Sequence, residues 1–166
     1  MMFLTEQTII VAELLRQNKH TVSVAESSTG GLISANLLAV PGASSFYQGG
    51  SVVYTKRSRF AFLDLDSEKL RALQPLSEEM VIEFARGAKA KLGTTWGVAE
   101  LGVAGPTGTP YGSGPGVSVI GIAGPVEATI KIETGSTDRK ENMLSFTSAA
   151  LRLLHESLLK VAQPES

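Results

Sequence analysis

The sequence predicts one α/β domain, folded as a three-layer α/β/α sandwich around a mixed sheet. Segments with helical periodicity both precede and follow segments rich in β-branched residues, which favours helices on both faces of a sheet. Two of the later strand segments are separated only by a short turn, so a hairpin adds an antiparallel element. A length of 166 residues with 43% hydrophobic residues suits a single core, so we expect one domain over residues 1–166.

An amphipathic helix is predicted for residues 5–19. The apolar side chains of Ile10 and Leu14, and likewise those of Val11 and Leu15, recur four positions apart. This spacing places each pair on one side of a helix.

A strand, a turn and a helix are predicted next. Residues 20–26 are short and rich in β-branched side chains, as a strand would be, and they run into S-S-T-G-G at residues 27–31. Residues 32–39 then indicate a helix that ends before Pro41.

The middle of the chain predicts a second strand and a long helix. Residues 51–55 indicate the strand, and the basic run of residues 56–59 stands at its end. Ser77, followed by two glutamates, is a good helix start, and Gly93 is a natural stop. One face of this helix is predicted to carry Met80, Phe84, Ala88 and Leu92.

The last third of the chain predicts strands over residues 96–103, 116–123 and 128–133, the last two as a hairpin. Asp138 and Glu141 have capping-box spacing for a final helix, and residues 163–166 are predicted to be a frayed tail. One face of that helix is predicted to carry Met143, Thr147, Ala150, Leu151, Leu154 and Leu158.

Composition excludes several classes of function. Lys and Arg total 15 against 16 acidic residues, and the net charge of −1 gives no general attraction to nucleic acid or to an anionic membrane. The absence of Cys excludes disulfides, thiolate metal sites and a cysteine nucleophile. His20 and His155 lack metal-ligand spacing, so we expect no metal site. With no basic N-terminal region and no apolar run of about 18 residues, we expect a cytoplasmic protein.

The strongest candidate for chemistry is the turn of residues 27–31. A strand-to-helix turn gathers backbone N–H groups and the positive end of a helix dipole, which suits a phosphate or an oxyanion. Its three hydroxyl residues offer a nucleophile, and its two glycines allow a ligand to approach the backbone closely. The same residues also suit plain helix capping, and the pattern alone leaves both interpretations open.

Two further clusters have the same ambiguity. The loop of residues 102–116 is rich in Gly and Pro and can either wrap a ligand or serve only as a long turn. Tyr54 with the basic residues 56–59 can form a cationic wall for a phosphate or a solvated strand end. Glu26, beside the turn, is interpreted as a buried structural carboxylate in preference to a ribose contact.

These clusters, taken together and in this order, resemble the CinA C-terminal domain family of nicotinamide-nucleotide amidohydrolases. V-A-E-S-S-T-G-G at residues 24–31 is similar to the family's A-E-S-C-T-G-G, with Ser28 at the cysteine position. G-S-V-V-Y-T at residues 50–55 is similar to its G-x-V-x-Y-[ST], and G-V-A-G-P-T-G at residues 102–108 to its G-I-A-G-P-x-G. The resemblance extends from about residue 5 to residue 159 and implies the stand-alone form of the family.

The resemblance implies a function in pyridine nucleotide salvage. The family deamidates nicotinamide mononucleotide to nicotinic acid mononucleotide and ammonia, without metal or cofactor, and it suggests a homodimer. Carried over, Ser27 is the nucleophile and Tyr54 orients it or relays a proton. The predicted substrate contacts are Ser28, Thr29, Gly30, Gly31, Gly105, Thr107, Gly108 and Arg139, with N–H groups of the turn or of the 102–108 loop forming the oxyanion hole.

One departure from the family affects catalysis. Arg59 stands where the family has the lysine that would activate the serine. A guanidinium stays protonated in proteins, so it cannot accept the proton of the serine. Two alternatives follow: Lys56 takes over the role of the base, or Arg59 holds a phosphate in a nucleotide-binding protein that has lost its activity or acts on a different substrate. Met143 also replaces an arginine often found in the last helix of the family.

Overall fold

A computed structural model of the chain describes residues 1–110 and 112–162, and the tail predicted for residues 163–166 lies outside this part. In chain order the elements are α1 (Thr5–Gln17), β1 (Val22–Glu26), α2 (Leu32–Leu38), a 3₁₀ turn (Ala43–Ser45), β2 (Tyr47–Val52), α3 (Lys56–Phe62), α4 (Ser67–Arg71), α5 (Glu78–Leu92), β3 (Trp96–Val103), β4 (Val117–Ala123), β5 (Ala128–Glu133) and α6 (Arg139–Ala162).

The strands form one mixed sheet in the order β2-β1-β3-β4-β5. Strand β1 lies parallel to both of its neighbours, β2 and β3. Strands β3, β4 and β5 pair in antiparallel fashion, so the predicted hairpin is β4–β5. The prediction of a mixed sheet is confirmed.

Helices cover both faces of the sheet, as the predicted three-layer sandwich requires. On one face α1, α2 and α6 pack against the sheet, with Leu15, Ile33 and Leu154 fully buried there. On the other face α5 packs against β1, β3 and β4, and Phe84 and Leu101 belong to its core. Because β3 contributes to both cores, the ends of β1 and β3 are held from both sides.

Helix α5 lies close to the sheet because two glycines face it. A Cβ at Gly97 of β3 would collide with the Ala85 carbonyl oxygen. A Cβ at Gly121 of β4 would lie 3.1 Å from the Val81 carbonyl oxygen. The backbone of the helix therefore occupies space that side chains of the sheet would otherwise fill.

The predicted faces of α1 and α5 are correct only in part. In α1 the buried residues include Val11 and Leu15, but Ile10 is 43% exposed. In α5, Met80 and Phe84 are buried as predicted, whereas Leu92 in the last turn is 50% exposed. Each helix contacts the sheet along one narrow stripe, so apolar residues beside the stripe or past its end remain in solvent.

The prediction was wrong between residues 47 and 71. The second strand begins earlier than residue 51, and the basic run is not a strand end but the first turn of α3. Thr55 caps this helix: its Oγ1 accepts from the Ser58 N–H at 3.1 Å, and the Ser58 Oγ accepts from the Thr55 N–H at 3.0 Å. Helix α4 was also missed; Asp66 caps it by accepting from the two backbone N–H groups that follow Ser67.

The start of α6 has only half of the predicted capping box. Asp138 Oδ1 accepts from the Glu141 N–H at 3.0 Å, as predicted. The Asp138 N–H donates to Ser136 Oγ at 3.1 Å instead of to the Glu141 side chain. Ser136 therefore replaces Glu141 as the acceptor for the Asp138 N–H. The preceding loop, in which the Ser136 N–H donates to Thr134 Oγ1, brings the Ser136 hydroxyl to this position.

Candidate active site

The strand-to-helix turn of residues 27–31 lies at the end of β1, next to the end of β3. The backbone conformation requires the two glycines, since Gly30 has φ +64° and Gly31 has φ +103°. Met143 of α6 fills the space beside Gly30, because a Cβ there would lie 3.3 Å from its Cε. Met143, which stands where the family often has an arginine, thus packs against the turn.

Glu26 is a buried structural carboxylate, as predicted. Its fully buried carboxylate accepts from the N–H groups of Gly31, Ile33 and Ser34, at 2.9–3.0 Å. These are N–H groups of the first turn of α2, which have no partner within the helix. Glu26 therefore caps α2 from the end of the preceding strand.

A second buried carboxylate, that of Glu100 in β3, is not among the predicted site residues. It is fully buried and lies opposite Glu26 in the parallel pairing of β1 with β3. Its Oε1 accepts from the N–H groups of Ser27, at 3.1 Å, and Thr29, at 3.0 Å. Its Oε2 accepts from Ser28 Oγ at 2.5 Å and from Ser118 Oγ at 3.1 Å.

Opposing effects act on the pKa of Glu100. Burial raises the pKa above its ordinary value, and the charge of Glu26 acts in the same direction. Hydrogen bonds from Ser28 and Thr29 stabilise the carboxylate and so lower the pKa, but burial dominates. The Thr29 hydroxyl bridges the two carboxylates, 2.6 Å from Glu26 Oε1 and 3.0 Å from Glu100 Oε1.

These contacts decide which N–H groups of the turn remain available to a ligand. Thr29 donates to Glu100, Gly30 to the Ser27 carbonyl at 3.1 Å, and Gly31 to Glu26. None of these three N–H groups is therefore available for the predicted oxyanion hole in this structure. Within the part of the chain that the structure describes, the Ser28 N–H has no hydrogen-bond acceptor.

A cleft of about 560 Å³ opens beside the turn and brings together four of the predicted residues, Ser27, Tyr54, Lys56 and Arg59. A large part of its wall comes from α3, α4 and the start of α5. Its other described lining residues are Phe60, Ser67, Leu70, Arg71, Leu73, Pro75, Leu76, Met80, Phe84, Gly102, Val103 and Thr109. The cleft thus combines a hydroxyl, a phenol, three cations and a large apolar wall.

Ser27 lines this cleft although the residue is only 3% exposed. No hydrogen bond occupies its Oγ within the described residues. The turn is thus held through its backbone and through the neighbouring side chains, while the Ser27 hydroxyl remains available for chemistry.

Arg59 is fixed to the wall of the cleft. Its Nε donates to the Val53 carbonyl at 3.3 Å, and its Cζ lies 5.2 Å from the centre of the Phe84 ring. Lys56, one turn earlier in α3, is exposed and lines the same cleft.

Tyr54 is tied to the Gly- and Pro-rich loop through Arg139. The Arg139 Nη2 donates to Tyr54 Oη at 3.2 Å, and its Nη1 donates to the Gly105 carbonyl. Because Arg139 is a donor only, the phenol keeps its own proton for another partner.

The remaining predicted substrate contacts do not line the cleft. The side chains of Ser28 and Thr29 point to Glu100 and Glu26. Thr107 and Gly108 are exposed in the loop, and Gly105 is buried there. Gly30, Gly31 and Arg139 are likewise outside the described lining. Whether these residues contact a substrate stays a prediction.

Across residues 1–110 and 112–162, no three His, Asp or Glu side chains are grouped so that they could hold a metal ion. Over the same residues, no helix combines the length and the apolar character needed to cross a bilayer.

Comparison with known proteins gives consistent results. The profile of the CinA C-terminal domain matches residues 5–158. A CinA-like protein of Sulfurihydrogenibium is 32% identical over 154 residues, which cover 93% of this chain and 38% of that protein. A CinA-like protein of Fervidobacterium nodosum is 43% identical over 99 residues, covering 60% of this chain and 24% of its own length. The chain thus spans well under half the length of these curated relatives.

Solved structures agree with the fold. A crystal structure of the competence damage-inducible protein A from Klebsiella pneumoniae has a TM-score of 0.88 and 27% identity, and the match covers 97% of this chain and 99% of that one. A competence/damage inducible protein from Agrobacterium tumefaciens has a TM-score of 0.83 and 25% identity, with 95% and 98% covered. Because the profile matches nearly the whole chain, the protein belongs to the CinA C-terminal domain family.

Proposed function

We propose that this protein is a serine amidohydrolase that converts nicotinamide mononucleotide and water to nicotinic acid mononucleotide and ammonia. The observation that carries the proposal is the cleft, in which Ser27, Tyr54 and Lys56 are gathered at the end of β1. The chain belongs to the CinA C-terminal domain family. The choice of nicotinamide mononucleotide as the substrate rests on the resemblance of the motifs around these residues to those of the family.

In the proposed reaction Ser27 Oγ attacks the carboxamide carbon, and its proton passes to Lys56 Nζ. The negative charge that develops on the amide oxygen is stabilised by the Ser28 N–H, the unoccupied donor of the turn. The C–N bond then breaks, the amine returns the proton to the leaving nitrogen, and ammonia departs. Water next hydrolyses the acyl-serine ester and regenerates Ser27.

Other parts of the cleft suit the rest of the nucleotide. The apolar wall, which includes Phe60 and Met80, matches the pyridine ring. Arg71 of α4, with Arg59, supplies positive charge for the phosphate. Tyr54, held by Arg139, has its own proton free to donate to the Ser27 oxygen or the substrate.

The test is ammonia release from nicotinamide mononucleotide, measured from pH 6 to pH 9 with the unmodified protein. Turnover is expected, and Ser27→Ala is expected to lower kcat by at least about 10³-fold because the covalent nucleophile is lost. Ser44→Ala is the matched control, since Ser44 is an exposed serine that does not line the cleft. Absence of turnover by the folded wild-type protein would refute the proposal.

A second candidate function rests on Arg59. A protein with arginine at the family's lysine position, pinned to Val53 and Phe84, is also suited to bind a nucleotide without hydrolysing it. Calorimetry distinguishes the two functions: the second candidate predicts binding of nicotinamide mononucleotide without ammonia release. If only the base is missing, Arg59→Lys should then confer activity.

A further inference from the structure

Glu100, like Glu26, is a fully buried carboxylate for which the described residues contain no cationic partner. Burial of a charge is costly unless hydrogen bonds or an opposite charge compensate it. Here the compensation comes from donors on the turn that carries Ser27 and from Ser118.

The contacts of Glu100 differ from those of Glu26. Glu26 accepts from N–H groups at the start of α2, which explains it as a helix cap. Glu100 accepts from the Ser27 N–H, the Ser28 hydroxyl and the Thr29 N–H, three consecutive residues that include the nucleophile. One carboxylate thus fixes the helix, and the other fixes the turn.

The fit around Glu100 is tight. A Cβ at position 102 would lie 2.6 Å from Ser28 Oγ and 2.7 Å from Glu100 Oε2, so Gly102 is required for the carboxylate and the hydroxyl to meet. Phe146 of α6 closes the same space, 3.0 Å from that Cβ. The turn therefore has little freedom to move away from the Glu100 carboxylate.

We propose that Glu100 is a positioning residue, whose carboxylate holds the 27–29 turn so that the Ser27 hydroxyl faces the cleft and the Ser28 N–H stays free for the oxyanion. By accepting from the Ser27 N–H and the Thr29 N–H, Glu100 fixes the peptides on both sides of the Ser27–Ser28 peptide, which carries the free Ser28 N–H. Glu100 does not line the cleft, so it acts through the turn and not by contact with a substrate. This inference rests on the proposed role of Ser27 as the nucleophile.

The experiment is Glu100→Gln, which keeps the shape but replaces one accepting oxygen by an amide donor. We expect kcat for ammonia release to fall by about 10- to 100-fold with KM nearly unchanged, since a displaced nucleophile slows chemistry more than binding. In ¹⁵N–¹H spectra the Ser27 and Thr29 amide resonances are expected to move. Glu133→Gln, an exposed carboxylate of β5, is the matched control and should leave these quantities unchanged.

Two further measurements keep the test decisive. The amide spectra do not depend on turnover, so an inactive wild-type protein would refute the proposed function while the shifts still test Glu100. If Glu100→Gln does not fold, Ser28→Ala removes the 2.5 Å hydrogen bond and leaves the carboxylate in place; it should slow Ser27 chemistry and move the same resonances. A folded variant with unchanged Ser27 and Thr29 resonances and an unchanged kcat would overturn the inference.

Discussion

Lys56 and Arg59 line the same cleft, but their surroundings suit them to different tasks. Arg59 is held by the Val53 carbonyl and lies over the Phe84 ring, and an arginine stays protonated in proteins. Lys56 stands in the first turn of α3, and a lysine amine, unlike a guanidinium, is a residue type that enzymes use as a general base. At the scale of single residues, we therefore propose Lys56 as the base and Arg59 as a fixed part of the cleft wall.

Replacement of Lys56 tests this division. Lys56→Gln is expected to lower kcat for ammonia release by about 10²–10⁴-fold, the contribution typical of a positioned acid or base. Lys131→Gln is the control, because Lys131 is an exposed lysine outside the lining of the cleft. Steady-state kinetics of the two variants make the comparison. A Lys56→Gln protein with the wild-type kcat would show that Lys56 is not the base.

Helix α3 shows what a sequence can and cannot predict at the scale of elements. Helices α1, α5 and α6 were predicted because each buries an apolar stripe, whereas α3 buries no side chain and α4 buries only Leu70. Without burial there is no periodicity to detect, and the basic run was interpreted as a strand end. The T-x-x-S spacing of Thr55 and Ser58 was the one local signal of a helix start there.

The dependence of α3 on its cap leads to a prediction. Thr55→Ala removes the Oγ1 that accepts from the Ser58 N–H and should destabilise α3 by about 1 kcal/mol. Because α3 buries no side chain, the loss should appear as faster amide hydrogen exchange in residues 56–62, with little change in global stability.

The comparison variant is Ser77→Ala, which removes the cap of α5. Helix α5 buries five side chains and unfolds with the core, so this substitution should lower the global free energy of unfolding instead. Equal exchange rates in residues 56–62 of wild-type and Thr55→Ala proteins would contradict the prediction.

At the scale of the whole molecule, long-range contacts are what the sequence could not reveal. The three-layer sandwich and the Ser27 turn followed from local patterns, and the structure confirms the fold. Glu100 stands in an apolar run, and its partners on the turn lie 71–73 positions away in the chain. Nothing in the residues next to Glu100 indicates such distant partners. The contact of Glu100 with the turn is evident only from the pairing of β1 with β3.

Another long-range contact joins His20 to the core. Trp96, fully buried and the single tryptophan of the chain, donates from its Nε1 to the His20 Nδ1 at 3.0 Å. Burial lowers the pKa of His20 below its ordinary value of 6.5, so the folded protein favours the neutral ring. The unfolded chain then takes up the proton first, and stability should decrease as the pH falls below about 6.5 toward the lower folded-state pKa.

Urea unfolding followed by Trp96 fluorescence, at pH 7.5 and pH 5.5, measures this effect. The loss of stability between the two values should be smaller in His20→Gln than in the wild type, because the variant has no proton to gain at this position. The raised pKa of Glu100 acts in the opposite direction, but it is common to both proteins and cancels in the comparison. His155→Gln is the control, and an identical loss in all three proteins would refute the prediction.

The glycines beneath α5 have a mechanical consequence for the cleft. Gly97 and Gly121 bring the α5 backbone against the sheet. The wall of the cleft that Met80 and Phe84 form is therefore held in place by the sheet. The facing wall, built from α3 and α4, buries fewer side chains: α3 buries none and α4 buries only Leu70. We therefore expect a ligand larger than the resting cleft to displace residues 56–76 and to leave α5 in place.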